Sequence, residues 1–283
     1  MHLVGLLTAV LLQSGSTDVC SAIKVDAVPA SPRQGTLFRV NVSGVSPDVS
    51  LSGTAAGEAL HFSADKATAQ SMAAAPIDST SIEVVVDCRQ GTATNAKRLT
   101  LKLAAGAYRM EKLTVAPKFS TKPDSALEAR QRREAEKAAA VSRQAHETPQ
   151  LWTQPFAAPR PGRITSQFGG GREFNGAVTS RHMGTDYAGA VGAPIRAINR
   201  GVVRLVDNFY LGGNVVYVDH GAGLVTAYLH MSKQRVAVGD TVSRGTILGE
   251  VGATGRVTGP HLHLILRYGS VSVDPESLLP KPK

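Results

Sequence analysis

Two imidazoles stand two residues apart in Gly259-Pro260-His261-Leu262-His263-Leu264-Ile265-Leu266, and an apolar run follows them. Side chains alternate along a β-strand, so residues i and i+2 share a face. His261 and His263 therefore point the same way, while Leu262 and Leu264 turn into a core. Two histidines on one strand face are half of a metal site, or a ligand beside a proton-transfer group; alone, they also fit an ordinary polar face. Upstream, Arg181-His182-Met183-Gly184-Thr185-Asp186 supplies a second imidazole–carboxylate set, and Tyr228-Leu229-His230 lies between the two stretches. Zinc accepts neutral imidazole nitrogen and carboxylate oxygen, and a catalytic zinc usually takes three protein ligands and keeps a fourth position for water. His182, Asp186 and His263 fill that quota for one ion per chain. His230 and His261 are left as acid/base groups beside it.

Those stretches carry a resemblance. From about residue 162 to 280 the sequence resembles the catalytic domain of lysostaphin-type (LytM-like) zinc endopeptidases, which cut the peptide part of bacterial peptidoglycan. The family's H-x-x-x-D motif matches His182 and Asp186, its H-x-H motif matches His261 and His263, and a strand ending Y-x-H matches Tyr228-Leu229-His230. Supporting matches are Gly213-Asn214-Val215-Val216 with His220-Gly221, Val238-Gly239-Asp240 and Val273-Asp274-Pro275. The resemblance implies antiparallel sheets with zinc in a groove between flanking loops, and peptidoglycan peptide stems as substrate. The base must lie within hydrogen-bond reach of the zinc-held water, which makes His261, beside His263 on one strand face, a candidate; His230 can steady the oxyanion or pass a proton to the leaving amine. Glycyl-glycine-cutting relatives often carry a tyrosine six residues before the first zinc histidine. That position is Gly176 here, which turns the expectation toward the D-alanyl–diaminopimelate crosslink. Two alternatives keep the fold and change the function: a wall-binding or amidase-activating module without catalysis, and a secreted metallopeptidase acting on another peptide.

The elements that must position these residues are short strands. Stretches 201–206, 214–219, 224–230, 246–251 and 261–266 are apolar and divided by glycine, with almost no helical period, which predicts an antiparallel all-β domain over 151–283. His220, in an Asp-His-Gly turn, reads as structural. Residues 23–117 differ in texture. Alternation at 23–28, 37–42 and 99–103, a rougher run at 82–87, and turn formers between them predict a β-sandwich of immunoglobulin-like size with no catalytic cluster. His61 reads as a surface or half-buried histidine. Between the two, 118–150 reads as a linker containing a helix from Asp124, which caps its first turn, through strong helix formers to about Ala140. Arg130 and Glu134 attract at i,i+4, and the mixed charges predict a solvated helix bridging two domains.

A chain of 283 residues favours two domains, and 42% hydrophobic content gives each a core. The net charge of +9 suits an acidic polymer. No zinc-finger spacing or aromatic platform supports nucleic acid as that polymer. The apolar stretch 3–12 is long enough for a signal-peptide core and too short to span a bilayer, so residues 1–22 read as an export signal and the protein as periplasmic or wall-associated. No other stretch of the sequence reads as a membrane span. Cleavage is permitted near Ser14 and Ser16 or near Cys20 and Ala22. Cys20 and Cys88 permit one disulfide in an oxidising compartment, though their spacing does not determine whether they meet.

Overall fold

The strand alternation of residues 23–117 builds two four-stranded antiparallel sheets that face each other. In spatial order one contains Lys24–Val28, Leu37–Ser43, Thr68–Ala74 and Ser63–Asp65; the other contains Glu58–Ala59, Val49–Ala55, Ser81–Gln90 and Ala93–Lys102. Phe38, Val40 and Val42 from the first sheet meet Val84 and Val86 from the second in a common core. This is the computed structural model of the chain, and it describes residues 19–119, 121–176 and 178–280. The apolar stretch 3–12 expected as a signal core lies outside the described residues.

The two cysteines do meet. Cys20, on the short helix Val19–Ala22, is bonded to Cys88 and both are buried in the sandwich core. A leader boundary at residue 22 would remove half of this bridge. A boundary near Ser14 or Ser16 would keep it.

The second sheet system is built around the main sheet of the C-terminal half. Its strands run, in spatial order, Ile164–Ser166, Thr185–Ala188, His261–Tyr268, Leu224–Met231, Gly213–Gly221, Gly201–Phe209 and Thr241–Val242, with Val271–Val273 pairing on His261–Tyr268. All of these pairings are antiparallel. One face carries Val216, Val218, Tyr228, Leu262, Leu264 and Leu266 into the larger core. The opposite face carries Val215, Tyr217, Val225, Ala227 and Leu229.

That opposite face is where the helix goes. Ser125–Ala145 presents Ala138, Val141 and Ala145 to it, and the three are buried there. Asp124 caps the helix by accepting from the Leu127 amide at 2.8 Å, and the Arg130–Glu134 pair forms at 2.6 Å. Glu134 also accepts from the Tyr210 amide at 3.0 Å, and Lys137 pairs with Asp207 at 2.6 Å. The expectation of a solvated bridging helix is thus corrected. Its apolar stripe at i, i+3 and i+7 is made of small residues, which give a weak sequence signal but allow a close approach to a flat apolar sheet. Full burial of one valine contributes about 1.5–3 kcal/mol, so this contact holds the helix in place.

The end of the stretch read as sandwich pairs with the C-terminal half instead. Met110–Leu113 adds as a parallel strand to Gly171–Phe174, which itself pairs with Val178–Arg181. Further contacts join the two halves: Arg33 with Asp274 at 3.1 Å, Tyr268 Oη donating to the Ala59 carbonyl at 2.7 Å, and Arg181 with Asp78 at 2.8 Å. His61, His146 and Glu58 form a chain of hydrogen bonds of 2.8 and 3.0 Å, which ends at the Ser270 amide at 2.9 Å. No helix among the described residues is long and apolar enough to cross a membrane.

Candidate metal centre

Strand register brings the first two groups together. Asp186 pairs directly with His263, and Ala188 with His261. Directly opposed residues share a face, so Asp186, His261 and His263 stand side by side, and Leu262 and Leu264 are fully buried on the other face. His182 reaches the same point from the turn between Val178–Arg181 and Thr185–Ala188, held by its amide to the Gly170 carbonyl at 2.7 Å. His182 Nε2, Asp186 Oδ1 and His263 Nδ1 converge at mutual distances of 2.7, 2.9 and 3.1 Å. All three residues are buried and form a group able to hold a metal ion.

The protons say what this group requires. His182 Nδ1 lies 2.8 Å from the Gln167 carbonyl and donates to it. In the neutral ring Nε2 then carries a lone pair, and it faces the Asp186 carboxylate at 3.1 Å. Two acceptors facing each other in a buried site call for a cation between them. Two imidazole nitrogens and one carboxylate oxygen are a donor set that suits zinc. Burial would raise the Asp186 carboxyl, but the adjoining imidazoles of His182 and His263 hold it far below the usual carboxylate range. Burial lowers His263 to about 4 despite the neighbouring Asp186. Both directions keep the Asp186 carboxyl and the His263 ring deprotonated near neutral pH.

His261 and His230 adjoin the cluster without joining it. His261 Nδ1 donates to the Gly259 carbonyl at 2.8 Å, which leaves Nε2 as an acceptor 3.6 Å from Asp186 Oδ1. His230 Nδ1 donates likewise to the Thr254 carbonyl at 2.8 Å. The His230 ring centroid lies 4.9 Å from that of His261 and 5.8 Å from that of His263. Strict alternation would put His230 on the core face with Tyr228. A φ of +64° at His230 breaks the alternation, at a conformational cost for a residue with a Cβ, and swings the ring to the site. Burial, and repulsion from the flanking imidazoles, push His230 down to about 3. His220 is elsewhere, buried between the Arg200 carbonyl at 2.7 Å and Thr226 Oγ1 at 2.8 Å.

Four residues outside these motifs complete the surroundings. Arg172 Nη2 donates to Asp186 Oδ2 at 2.6 Å and to Ser166 Oγ at 2.9 Å. Ser166 Oγ also lies 3.1 Å from His182 Nδ1. Glu111 accepts from Arg172 Nε at 3.2 Å and from Ser166 Oγ at 2.9 Å. Arg256 stacks on Phe174, 4.0 Å from the ring centroid. Arg163, Arg172 and Arg256 line an open cleft of about 600 Å³ together with Glu111, Asp186 and His261. No spacing rule points to these residues: the arginines and the serine sit in loops or short strands, and Glu111 is far upstream in a segment that reads as part of the sandwich.

An antiparallel β domain thus carries, at the mouth of a cleft, a buried two-histidine, one-aspartate group that could hold a metal ion. Residues 180–275 match the pattern of Peptidase family M23. Relatives include peptidoglycan DD-endopeptidase ShyA of Vibrio cholerae, 48% identical over 95 residues that make up 32% of this chain and 22% of that protein. Peptidoglycan DD-endopeptidase ShyC of the same organism is 40% identical over 97 residues, 34% of this chain and 22% of its own length. The match thus spans 22% of the length of each of these curated relatives. The crystal structure of a candidate peptidase M23 from Pseudomonas aeruginosa superposes with a TM-score of 0.67 at 25% identity, covering 87% of this chain and 94% of that one.

Proposed function

We propose that the protein is a zinc-dependent endopeptidase that hydrolyses peptide crosslinks of bacterial peptidoglycan outside the cytoplasm. One observation carries the reading: two acid/base imidazoles, His230 and His261, flank a three-donor cation centre at the edge of an open cleft. His182 Nε2, Asp186 Oδ1 and His263 Nδ1 would hold one zinc ion, which supplies Lewis acidity for attack of water on a peptide carbonyl.

The chain's own groups do the rest. His261, with its proton fixed on Nδ1 by Gly259, offers Nε2 to take a proton from the attacking water. His230 likewise offers Nε2 and, once protonated there, can donate to the oxyanion or deliver the proton to the leaving amine. Because its resting form is neutral, the proton-delivery role fits it better than permanent oxyanion binding. Arg163 and Arg256 in the cleft suit an anionic peptide such as a wall stem. Support for that substrate comes from the two named DD-endopeptidases, and Gly176 at the tyrosine position favours the D-alanyl–diaminopimelate bond over a glycyl bridge. The Cys20–Cys88 bridge supports an oxidising, exported location. A module without catalysis would not require the full ligand set and both flanking histidines.

The test is mass spectrometry of muropeptides released from purified walls, with and without chelator. Chelator-sensitive release of cleaved crosslinks is the expected result. Intact crosslinks after incubation with metal-loaded protein would refute the reading.

A further inference from the structure

The Met110–Leu113 strand lies in the cleft wall, outside the residues that match the family. Its parallel register sets Glu111 beside Arg172. The strand is well anchored there. The Gly171 amide donates to the Arg109 carbonyl at 2.9 Å, and Asn175 exchanges two hydrogen bonds with the Val115 backbone at 2.8 and 3.0 Å. A Cβ on Gly169 would stand 2.2 Å from the Tyr108 ring, so the upstream segment fits closely against this loop.

From this geometry we infer that Glu111 is a positioning residue of the metal centre, acting through Arg172 and Ser166. The inference rests on the reading of His182, Asp186 and His263 as zinc ligands. Arg172 holds Asp186 by Oδ2, which leaves Oδ1 to the cation. Ser166 borders the outer nitrogen of His182, whose orientation fixes which nitrogen faces inward. Glu111 binds both of these intermediaries at once. It also offsets a charge problem. An unpaired guanidinium next to a ligand carboxylate opposes a divalent cation, and Glu111 supplies the compensating negative charge. Outer-shell partners of this kind typically set metal affinity by about 10–100-fold. The upstream half of the chain thus contributes a side chain to a centre whose ligands all lie in the C-terminal half.

The experiment is a chelator-competition zinc titration on the full chain, with the visible spectrum of the cobalt-loaded protein and the melting of the metal-free protein as parallel readouts. Glu111→Gln keeps the shape and removes the charge. It is expected to weaken zinc binding by about 10–100-fold and to alter the cobalt bands, with the metal-free melt near wild type. Glu111→Asp keeps the charge on a shorter arm and is expected to weaken zinc as well; wild-type affinity in Glu111→Asp would show that charge alone matters and overturn positioning. In an Arg172→Gln background the effect of Glu111→Gln should shrink, and an undiminished effect would overturn the route through Arg172. Unchanged zinc affinity in Glu111→Gln overturns the inference, as does a loss that merely follows a loss of folding. Should Glu111→Gln fail to fold, Glu111→Asp alone decides. Failure of the underlying reading looks different: wild type would bind no zinc, or His263→Ala would bind it normally, and the inference would fall with it.

Discussion

Gly184, between the ligands His182 and Asp186, should tolerate no side chain. Its φ is not in the left-handed region, so alanine brings no backbone strain. The obstacle is steric. A Cβ there would stand 2.5 Å from the Leu264 carbonyl oxygen and 2.7 Å from His263 Nε2. Contacts under 3.0 Å are essentially never seen, so the strand or the ring must move by at least 3.0 − 2.5 = 0.5 Å. The carbonyl belongs to a paired strand, with Leu264 opposite Thr185, and cannot yield as a side-chain tip would. Overpacking of this kind costs about 1–3 kcal/mol, and a displacement of about 0.5 Å is already the tolerance of a working constellation. Gly184→Ala should therefore lower the metal-free melting temperature and weaken zinc by about 10-fold or more. Gly259→Ala is the control in the same cleft: nothing lies within 4 Å of its Cβ position, so melting and zinc affinity should stay put. The assay is differential scanning calorimetry of the metal-free protein with chelator-competition titration. Wild-type zinc affinity in Gly184→Ala would refute the claim that the glycine makes room for His263.

Three other outcomes are expected. His230→Ala and His261→Ala should keep zinc and slow muropeptide release by about 10²–10⁴-fold, with the double variant costing less than the product; metal analysis and initial rates check this, His220→Ala serves as the folded control, and metal loss in His261→Ala would make that residue a ligand. Cys88→Ala opens a loop of 68-residue separation and should cost about 2–5 kcal/mol in denaturant unfolding; an unchanged midpoint would contradict the bridge. Acid should loosen the seam between the halves. Burial would raise Glu58, but hydrogen bonds from His146 and Ser270 outweigh it and bring the carboxyl from 4.5 down to about 2, while burial lowers His61. Both folded-state values are depressed, so the stability they give is present above the unfolded values, near 6.5 for His61 and 4.5 for Glu58, and is lost as pH falls through the folded ones. Melting against pH should flatten between about 4.5 and 2 in Glu58→Gln, and an unaltered slope there would remove the Glu58 contribution.

What the sequence reveals depends on how far each contact reaches along the chain. The shared face of His261 and His263 is legible because a strand repeats every two residues. The meeting of Asp186 with His263 needs strand register, which no local spacing encodes; only the donor types and the family resemblance suggest it. His230 is legible as a residue type but not in direction, since the turn at its φ of +64° overrides the alternation that local pattern implies. The helix could be found but its partner could not: Ala138, Val141 and Ala145 are too small to announce a buried face. Glu111 escapes for a different reason. It joins the site through a parallel pairing with residues some sixty positions away, and a parallel edge contact leaves no turn signal between its strands.

The order in which the polypeptide is synthesised gives the helix and the Met110–Leu113 strand a further consequence. Both are made before the strands they cover, and neither has a partner until the C-terminal half exists. The sandwich can close early on its own core. The peptidase half must then fold backward onto segments already waiting, through contacts distant in sequence and hence slow to form. Until that happens the sheet face of Val215, Tyr217, Val225 and Leu229 is bare, and the edge at Gly171–Phe174 is open to pairing with another chain. A fragment trimmed to residues 180–275 would keep the ligands and leave that sheet face bare permanently, so aggregation, rather than absence of catalytic groups, would set its usefulness.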